Sequence, residues 1–349
     1  MKRHRPTHIT QTLSRRQLLG AASLSLLGAS TALTAPTAKA ANAAKATKAQ
    51  VLRISTPAVA DDWHAKMWSV FKNDLARSAP GQFEVQINLN GSLFKQGAEA
   101  VAMARGNLEL ASISAFDIAK VVPAFSLFTA GYVLRDPAHL MQVLSGPLMT
   151  ELYKEVSTRM DITVLSPLYL GTRQLNLRQK REVKTPADLK GLKLRMPSTK
   201  EWLFLGQALG ATATPLAFGE VYLGLKTGTI DAQENPLPTV RSAKFYEVTE
   251  QITLTSHLVD SLFIVVSNKL WRSLDASAQQ QLKAAAQAAA LYNNTERIAD
   301  EKNLLAFFQS QGLRVTTPDV AAFRLAVHKA YATSDMAKDW PAGLLERIQ

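Results

Sequence analysis

Thr185-Pro186-Ala187-Asp188-Leu189-Lys190-Gly191-Leu192-Lys193-Leu194-Arg195-Met196-Pro197-Ser198 holds a helix stop, a strand and a helix start within one short run. Thr185 is a capping residue, Pro186 suits the first helical position, and Gly191 ends the turn. Leu192 to Arg195 then reads as a strand, closed by Pro197. Ser198 stands where a cap is needed for a helix that runs to Leu209 and stops at Gly210. Arg195 therefore arrives at the C-terminal mouth of a strand, the edge at which open α/β sheets bind ligands.

The same alternation continues outward. Downstream, residues 211–214 read as a strand, Glu220 to Lys226 as a helix broken by Gly228, and Ile230 to Glu234 as the next strand. Upstream, Ile162-Thr163-Val164-Leu165 begins a strand leading to Gly171-Thr172-Arg173-Gln174. Arg173 thus follows a turn at Gly171 and reaches the sheet edge as Arg195 does. Nearer the N-terminus, Val51 to Ser55 is a first strand. Trp63, Met67, Val70, Phe71 and Leu75 mark a helix to about Arg77. Phe83 to Leu89 alternates as a strand. Ala98 to Arg105 is a helix closed by Gly106, and Leu108 to Ile113 is a third strand. Strand and helix in turn point to an α/β fold with a central sheet.

Asp275 caps a helical pattern from Ala276 to about Phe308 that contains neither Gly nor Pro. At ~1.5 Å per residue it spans about 50 Å, long enough to brace two lobes. The alternative is two helices with a bend near Asn293-Asn294.

The N-terminus has the layout of an export signal. Lys2, Arg3, Arg5, Arg15 and Arg16 precede a moderately apolar run from Leu18 to Leu33. Ala38 and Ala40 supply the small residues of a cleavage site near Ala40. Ser14-Arg15-Arg16-Gln17-Leu18-Leu19 is similar to the twin-arginine export motif. Residues 41–49 read as a flexible leader. Removing 1–40, with six basic residues and no acid, halves the formal net charge of +12. What remains is spread without a basic run, so no nucleic-acid partner is expected. A modest positive field suits an anionic ligand. The chain has no cysteine. That excludes disulfides, thiolate metal sites, a cysteine nucleophile and the cysteine-borne lipid anchor. No later segment is apolar enough to span a bilayer.

Enzyme motifs for serine hydrolysis, zinc proteolysis, phosphate loops and dinucleotides are missing from the sequence. His64, His139, His257 and His328 are far apart. Asp61-Asp62-Trp63-His64 is compatible with a metal site, but reads better as a solvated helix start with acids at the positive dipole end. No metal and no cofactor are expected. Two arginines at strand mouths, by contrast, offer planar forks that hold a carboxylate bidentately. For either one alone, a surface position or a structural ion pair is the competing reading.

Residues 171–174, 190–197 and 214–236, the last ending in Asp231-Ala232-Gln233-Glu234-Asn235-Pro236, resemble the substrate-binding proteins of TRAP transporters, the DctP type. Lys244-Phe245-Tyr246-Glu247-Val248 continues the likeness, which extends over essentially all of the chain after the signal. The resemblance implies a two-lobe periplasmic binding protein fold, with the ligand cleft between lobes and a long helix spanning both. Lobe I is then 50–170 with 261–300, and lobe II 171–260 with 301–349. The hinge falls near Leu170–Gly171 and Asp260–Ser261. It further implies a periplasmic monomer, not an enzyme, that passes a carboxylate-bearing ligand to a membrane permease. The alternatives are a binding protein serving a sensor or another importer, and a periplasmic enzyme acting on an organic acid.

The resemblance places the principal carboxylate-binding arginine on Arg195 and the second on Arg173. The cleft aromatic falls on Phe218 and the asparagine on Asn235. Ser198 stands where sialic-acid binders carry asparagine. From the first lobe, Thr56, Trp63, Ser114 and Asp117 are expected to close over the ligand, and Lys95 or Gln96 replaces an acid of the sialic-acid binders. The carboxylate clamp carries over while the far wall of the pocket does not, so a sugar acid, a dicarboxylate and an aromatic acid all fit.

Overall fold

The computed structural model describes residues 49–338 and 340–348. The export signal expected at 1–40 and the leader at 41–49, save its last residue, lie outside the described residues. In chain order the strands are β1 (Gln50–Ser55), β2 (Phe83–Asn88), β3 (Leu110–Ser114), β4 (Ile162–Leu177), β5 (Lys193–Met196), β6 (Thr212–Pro215), β7 (Ala232–Pro236), β8 (Gln251–Ser267) and β9 (Arg314–Thr316). The helices before β4 are α1 (Trp63–Ser78), α2 (Glu99–Ala104), α3 (Ala115–Ala119), α4 (Pro137–Ser145) and α5 (Leu148–Met160). Those after it are α6 (Lys200–Ala208), α7 (Val221–Thr227), α8 (Leu237–Ser242), α9 (Asn268–Trp271), α10 (Ala276–Ser310), α11 (Val320–Ala332) and α12 (Leu344–Ile348).

The strands form one sheet in the order β2-β1-β3-β8-β4-β7-β5-β6, with β9 beside β8. Its centre is the antiparallel pair of β4 and β8, of 16 and 17 residues. β3 pairs with Leu262–Val266 at one end of β8, while β7 pairs with Arg173–Leu177 at the far end of β4. Each flank of the sheet therefore hangs on opposite ends of the same two strands. The pairing shifts register between Val164 and Ser166, between Tyr169 and Gly171, and between Arg173 and Leu175.

Gly171 corrects the sequence reading, because no turn occurs there and β4 runs straight through it. Its φ of +138° lies where L side chains rarely go. A Cβ at this point would stand 2.3 Å from Pro236 Cβ and 2.6 Å from Glu301 Oε1. Glycine is required for close approach of β7 and α10, not for reversal of the chain. Two smaller corrections concern element ends. Thr199, not Ser198, is the residue before α6, and the strand expected at 230–234 is displaced to Ala232–Pro236.

α10 is one helix of 35 residues, capped by Asp275, whose carboxylate accepts the Ala278 N–H at 2.8 Å. It serves two cores. Leu282, Ala285, Ala286, Ala289 and Ala290 pack with Leu52, Ile54, Trp68 and Phe71. Leu304 and Phe308 pack with Val221, Leu225, Val240 and Phe245. Between these stretches Asn293 and Asn294 hold the irregular part of β4 rather than bending the helix. Tyr169 N–H donates to Asn294 Oδ1 at 2.8 Å, and Asn293 Nδ2 donates to the Tyr169 carbonyl at 2.8 Å. Glu301, two turns on, accepts from the Tyr169 hydroxyl at 2.6 Å and the Thr172 N–H at 2.9 Å. Backbone groups that the broken ladder leaves unpaired are thereby satisfied. A third core lies on the other face of the sheet, around Phe125, Leu140, Trp202 and Phe323. Among the described residues no helix is long and apolar enough to cross a membrane.

Candidate functional site

A cleft of about 640 Å³ opens where the two flanks of the sheet face each other across β4 and β8. Six expected residues line it: Arg173, Arg195, Phe218, Asn235, Ser114 and Asp117. Three do not. Ser198 is exposed beyond the rim. Thr56 is buried behind the wall, where its hydroxyl oxygen accepts the Ala58 N–H at 3.2 Å and faces Ser112 Oγ at 3.4 Å. Trp63 turns toward α10, donating from Nε1 to Asp300 Oδ2 at 2.8 Å.

Arg195 is the third residue of β5, held between Thr214 of β6 and Gln233 of β7. The residue is 1% exposed. Nε donates to the Leu216 carbonyl at 2.8 Å, but Nη2 is buried with no partner. Burial lowers its pKa to about 9, the Glu234 charge working against this and Arg173 adding to it. Arg195 is thus a desolvated cation with an unused donor, a costly state unless an anion arrives.

Arg173 has the opposite character. Its Nε and Nη2 engage the Glu234 carboxylate, Nη1 donates to Asp260 Oδ2 at 2.9 Å, and Nη2 reaches Asn235 Oδ1 at 3.1 Å. The ring of Trp202 lies under it, 4.5 Å from the guanidinium carbon. Burial opposes its charge, but Glu234 and Asp260 outweigh that and raise its pKa. His257 Nε2 stands 3.1 Å from Glu234 Oε2. Burial likewise works against the Glu234 charge, yet Arg173 and His257 hold that carboxyl below its usual range. Asp260, less well compensated, is pushed up by burial to about 6. Asn235 donates to Gln233 Oε1 at 2.6 Å, so its amide is fixed before any ligand enters. Arg173 is therefore an arginine held by structural ion pairs that still presents an edge to the cleft, whereas Arg195 is the donor left open.

Phe218 is half-buried, edge-on to Phe245 at 5.8 Å between centroids. Across the cleft Phe116 stands edge-on to Trp202 at 5.8 Å, so apolar walls meet on that side. Ser114 donates to Asp117 Oδ2 at 2.8 Å, and Lys120 to Asp117 Oδ1 at 2.8 Å. Gln96, weighed against Lys95 in the sequence, is the one that lines the cleft.

Sequence reasoning missed Glu99, His64, Thr239 and Asp260 in the lining. It also misjudged Asp62. Instead of a solvated helix start, Asp62 is 2% exposed and caps α1 through the His64 N–H. Its carboxylate meets Arg297, His64 Nδ1 at 2.7 Å and Ser242 Oγ at 2.9 Å. Arg297 also donates to Thr239 Oγ1 at 2.8 Å. Among the described residues no group of His and acidic side chains could hold a metal ion.

The model of the DctP family, bacterial extracellular solute-binding protein family 7, matches residues 55–338. The sialic acid-binding periplasmic protein SiaP of Vibrio cholerae is 29% identical over 261 residues, 75% of this chain and 81% of the relative. The 2,3-diketo-L-gulonate-binding periplasmic protein YiaO of Escherichia coli is 30% identical, over 84% of this chain and 89% of its own. Among solved structures, a TRAP periplasmic solute-binding protein of Roseobacter denitrificans with bound 3-deoxy-D-manno-oct-2-ulosonic acid is 43% identical. It superposes with a TM-score of 0.83 over 86% of this chain and 98% of that one.

Proposed function

Because the chain belongs to family 7 of the bacterial extracellular solute-binding proteins, the DctP family, we propose that it binds a sugar acid in the periplasm and hands it to a TRAP membrane permease. The observation that carries this reading is the buried, unpartnered Nη2 of Arg195. A ligand carboxylate placed there completes the guanidinium fork and offsets its desolvation. Arg173 presents its remaining edge beside it, Phe218 packs on the ligand body, and Asn235 bonds the polar rim. Ser114, Asp117 and Gln96 face the hydroxyls. The Roseobacter relative's bound acid, an eight-carbon polyhydroxylated keto acid, is the leading candidate ligand.

Lobe I is 50–170 with 261–300 and lobe II is 171–260 with 301–349, turning about the register breaks of β4 and the facing part of β8. The protein works by capture and release rather than turnover, as a monomer, after export and cleavage near Ala40. Trp63, Thr56 and Ser198 take no direct part in this site. The test is calorimetric titration of residues 41–349 with sugar acids, keto acids and aromatic acids. Arg195→Ala is expected to weaken binding of the preferred acid by roughly ten- to a few-hundredfold, the loss of one charge-assisted bond at ~1.5–3 kcal/mol. Undiminished affinity in that variant removes the assignment.

A further inference from the structure

The wall opposite the arginines is acidic, and its two carboxyls are not equivalent. Asp117 is engaged by Ser114 and Lys120. Glu99, the first residue of α2, is 2% exposed and lines the same cleft. Its Oε2 accepts the Gly97 N–H at 2.7 Å, while its cationic neighbour Lys120 is turned to Asp117. Arg195, with its unpartnered Nη2, lines the same cavity from the other side. A ligand held by its carboxylate at Arg195 extends toward Glu99.

We infer that Glu99 is a specificity-determining residue of the cleft, which accepts an uncharged, hydroxyl-bearing ligand tail and rejects a second carboxylate. This rests on the carboxylate clamp proposed above. A hydroxyl both donates and accepts, so it pairs with a carboxyl in either protonation state. A second carboxylate meets Glu99 and Asp117 in a desolvated wall, where like charges repel strongly. Burial pushes Glu99 up to about 7, with the Asp117 charge adding to this and Gly97 N–H and Lys120 opposing it. His64, Arg173, Arg195 and Asp260 are the other ionisable groups facing the cavity. An uncharged tail that displaces water from Glu99 raises its proton affinity further. Binding near pH 7 therefore takes up part of a proton.

Galactonate and galactarate form a matched pair that differs only at the sixth carbon, a hydroxymethyl group in one and a carboxylate in the other. In calorimetry at pH 8 the wild-type protein is expected to prefer galactonate at least tenfold. Glu99→Gln, a neutral shape-mimic, should bring the two within about threefold. Proton uptake, from galactonate titrations at pH 7 in two buffers of different ionisation enthalpy, should be clear in the wild type and much reduced in Glu99→Gln. Should that variant fold poorly, Asp260→Asn supplies the control: uptake that persists in it supports Glu99, and uptake that vanishes in it assigns the proton to Asp260 and overturns the inference. Equal affinity for the two acids, or binding with no proton uptake, overturns the inference. If galactonate binding is lost in Arg195→Ala while either of those results holds, the clamp survives and only the role of Glu99 falls. Binding of neither acid also overturns the inference, while the clamp is then judged separately by whether Arg195→Ala loses the acid that the wild type prefers.

Discussion

Arg297, near the middle of α10, is ion-paired with Asp62, the residue that caps α1. Both side chains are buried. Through Thr239 and Ser242 the same pair reaches α8. One guanidinium thus joins the helix that follows β1, the long helix, and the helix that follows β7.

Arg297→Leu leaves the Asp62 carboxylate buried without its cation. The expected cost is ~3–5 kcal/mol, read by denaturant unfolding at pH 7. Burial works against the Asp62 charge, but Arg297 and His64 together hold its pKa below the usual carboxylate range. A depressed carboxylate contributes stability above its unfolded pKa, near 4, and loses it as pH falls through the folded value. The gap between wild type and variant should therefore be widest at neutral pH and narrow below about pH 4. A gap independent of pH would show that the ion pair is not its source.

Arg195→Met is expected to separate stability from binding. The guanidinium is desolvated and incompletely paired in the ligand-free protein. Replacing it with an apolar chain of similar length should leave the unfolding midpoint unchanged or higher, while the thermal shift given by the preferred acid disappears. A marked loss of stability without ligand would mean that Arg195 serves the fold first.

Gly171→Ala meets Pro236 Cβ at 2.3 Å and takes a φ of +138°. Strain and overpacking each cost ~1–3 kcal/mol in such positions. The variant should lose several degrees in melting temperature, with binding weakened as well, since Pro236 follows Asn235. An unaltered melting temperature would show that β4 adjusts freely there.

Asp260→Asn tests the raised pKa of about 6, against an ordinary 3.8. A carboxyl whose folded pKa is raised gives its full stabilisation below the unfolded pKa and loses it as pH rises through the folded one. For Asp260 that window runs from about pH 4 to pH 6, with up to ~3 kcal/mol at stake. Stability of the variant should fall less steeply with pH across that window than that of the wild type. Parallel curves would place the charge of Asp260 in balance with Arg173.

Much of this was legible because local chemistry sets it. Pro197 directly follows β5, so the position of Arg195 at the end of that strand is legible from four neighbouring residues. Asp275 and an uninterrupted run of helix formers marked α10 at its start. What escaped notice depends on residues far apart in the chain. Gly171 looks like a turn because the sequence does not show Pro236 and Glu301 closing on it. Asp62 looks solvated because its counter-ion lies 235 residues away. Glu99 looks like an ordinary helix-start acid, and only burial beside Asp117 makes it a wall of the cleft. Ser198 and Thr199 are adjacent hydroxyl residues, either of which suits a cap, so local pattern could not choose between them.

The order of the strands has a consequence for how the protein is made. β8 sits between β3 and β4, yet in the chain it begins at residue 251, well after β3 ends at 114 and β4 at 177. Until residues 251–267 leave the ribosome, β3 and β4 are open edges with no neighbour between them, and Arg173 lacks Asp260. α10, which satisfies the backbone of Tyr169, comes later still. The binding cleft is therefore among the last features to form. A nascent chain carries two exposed, hydrophobic strand edges from the completion of β4 until β8 emerges, the condition in which chaperone protection against misassembly matters most.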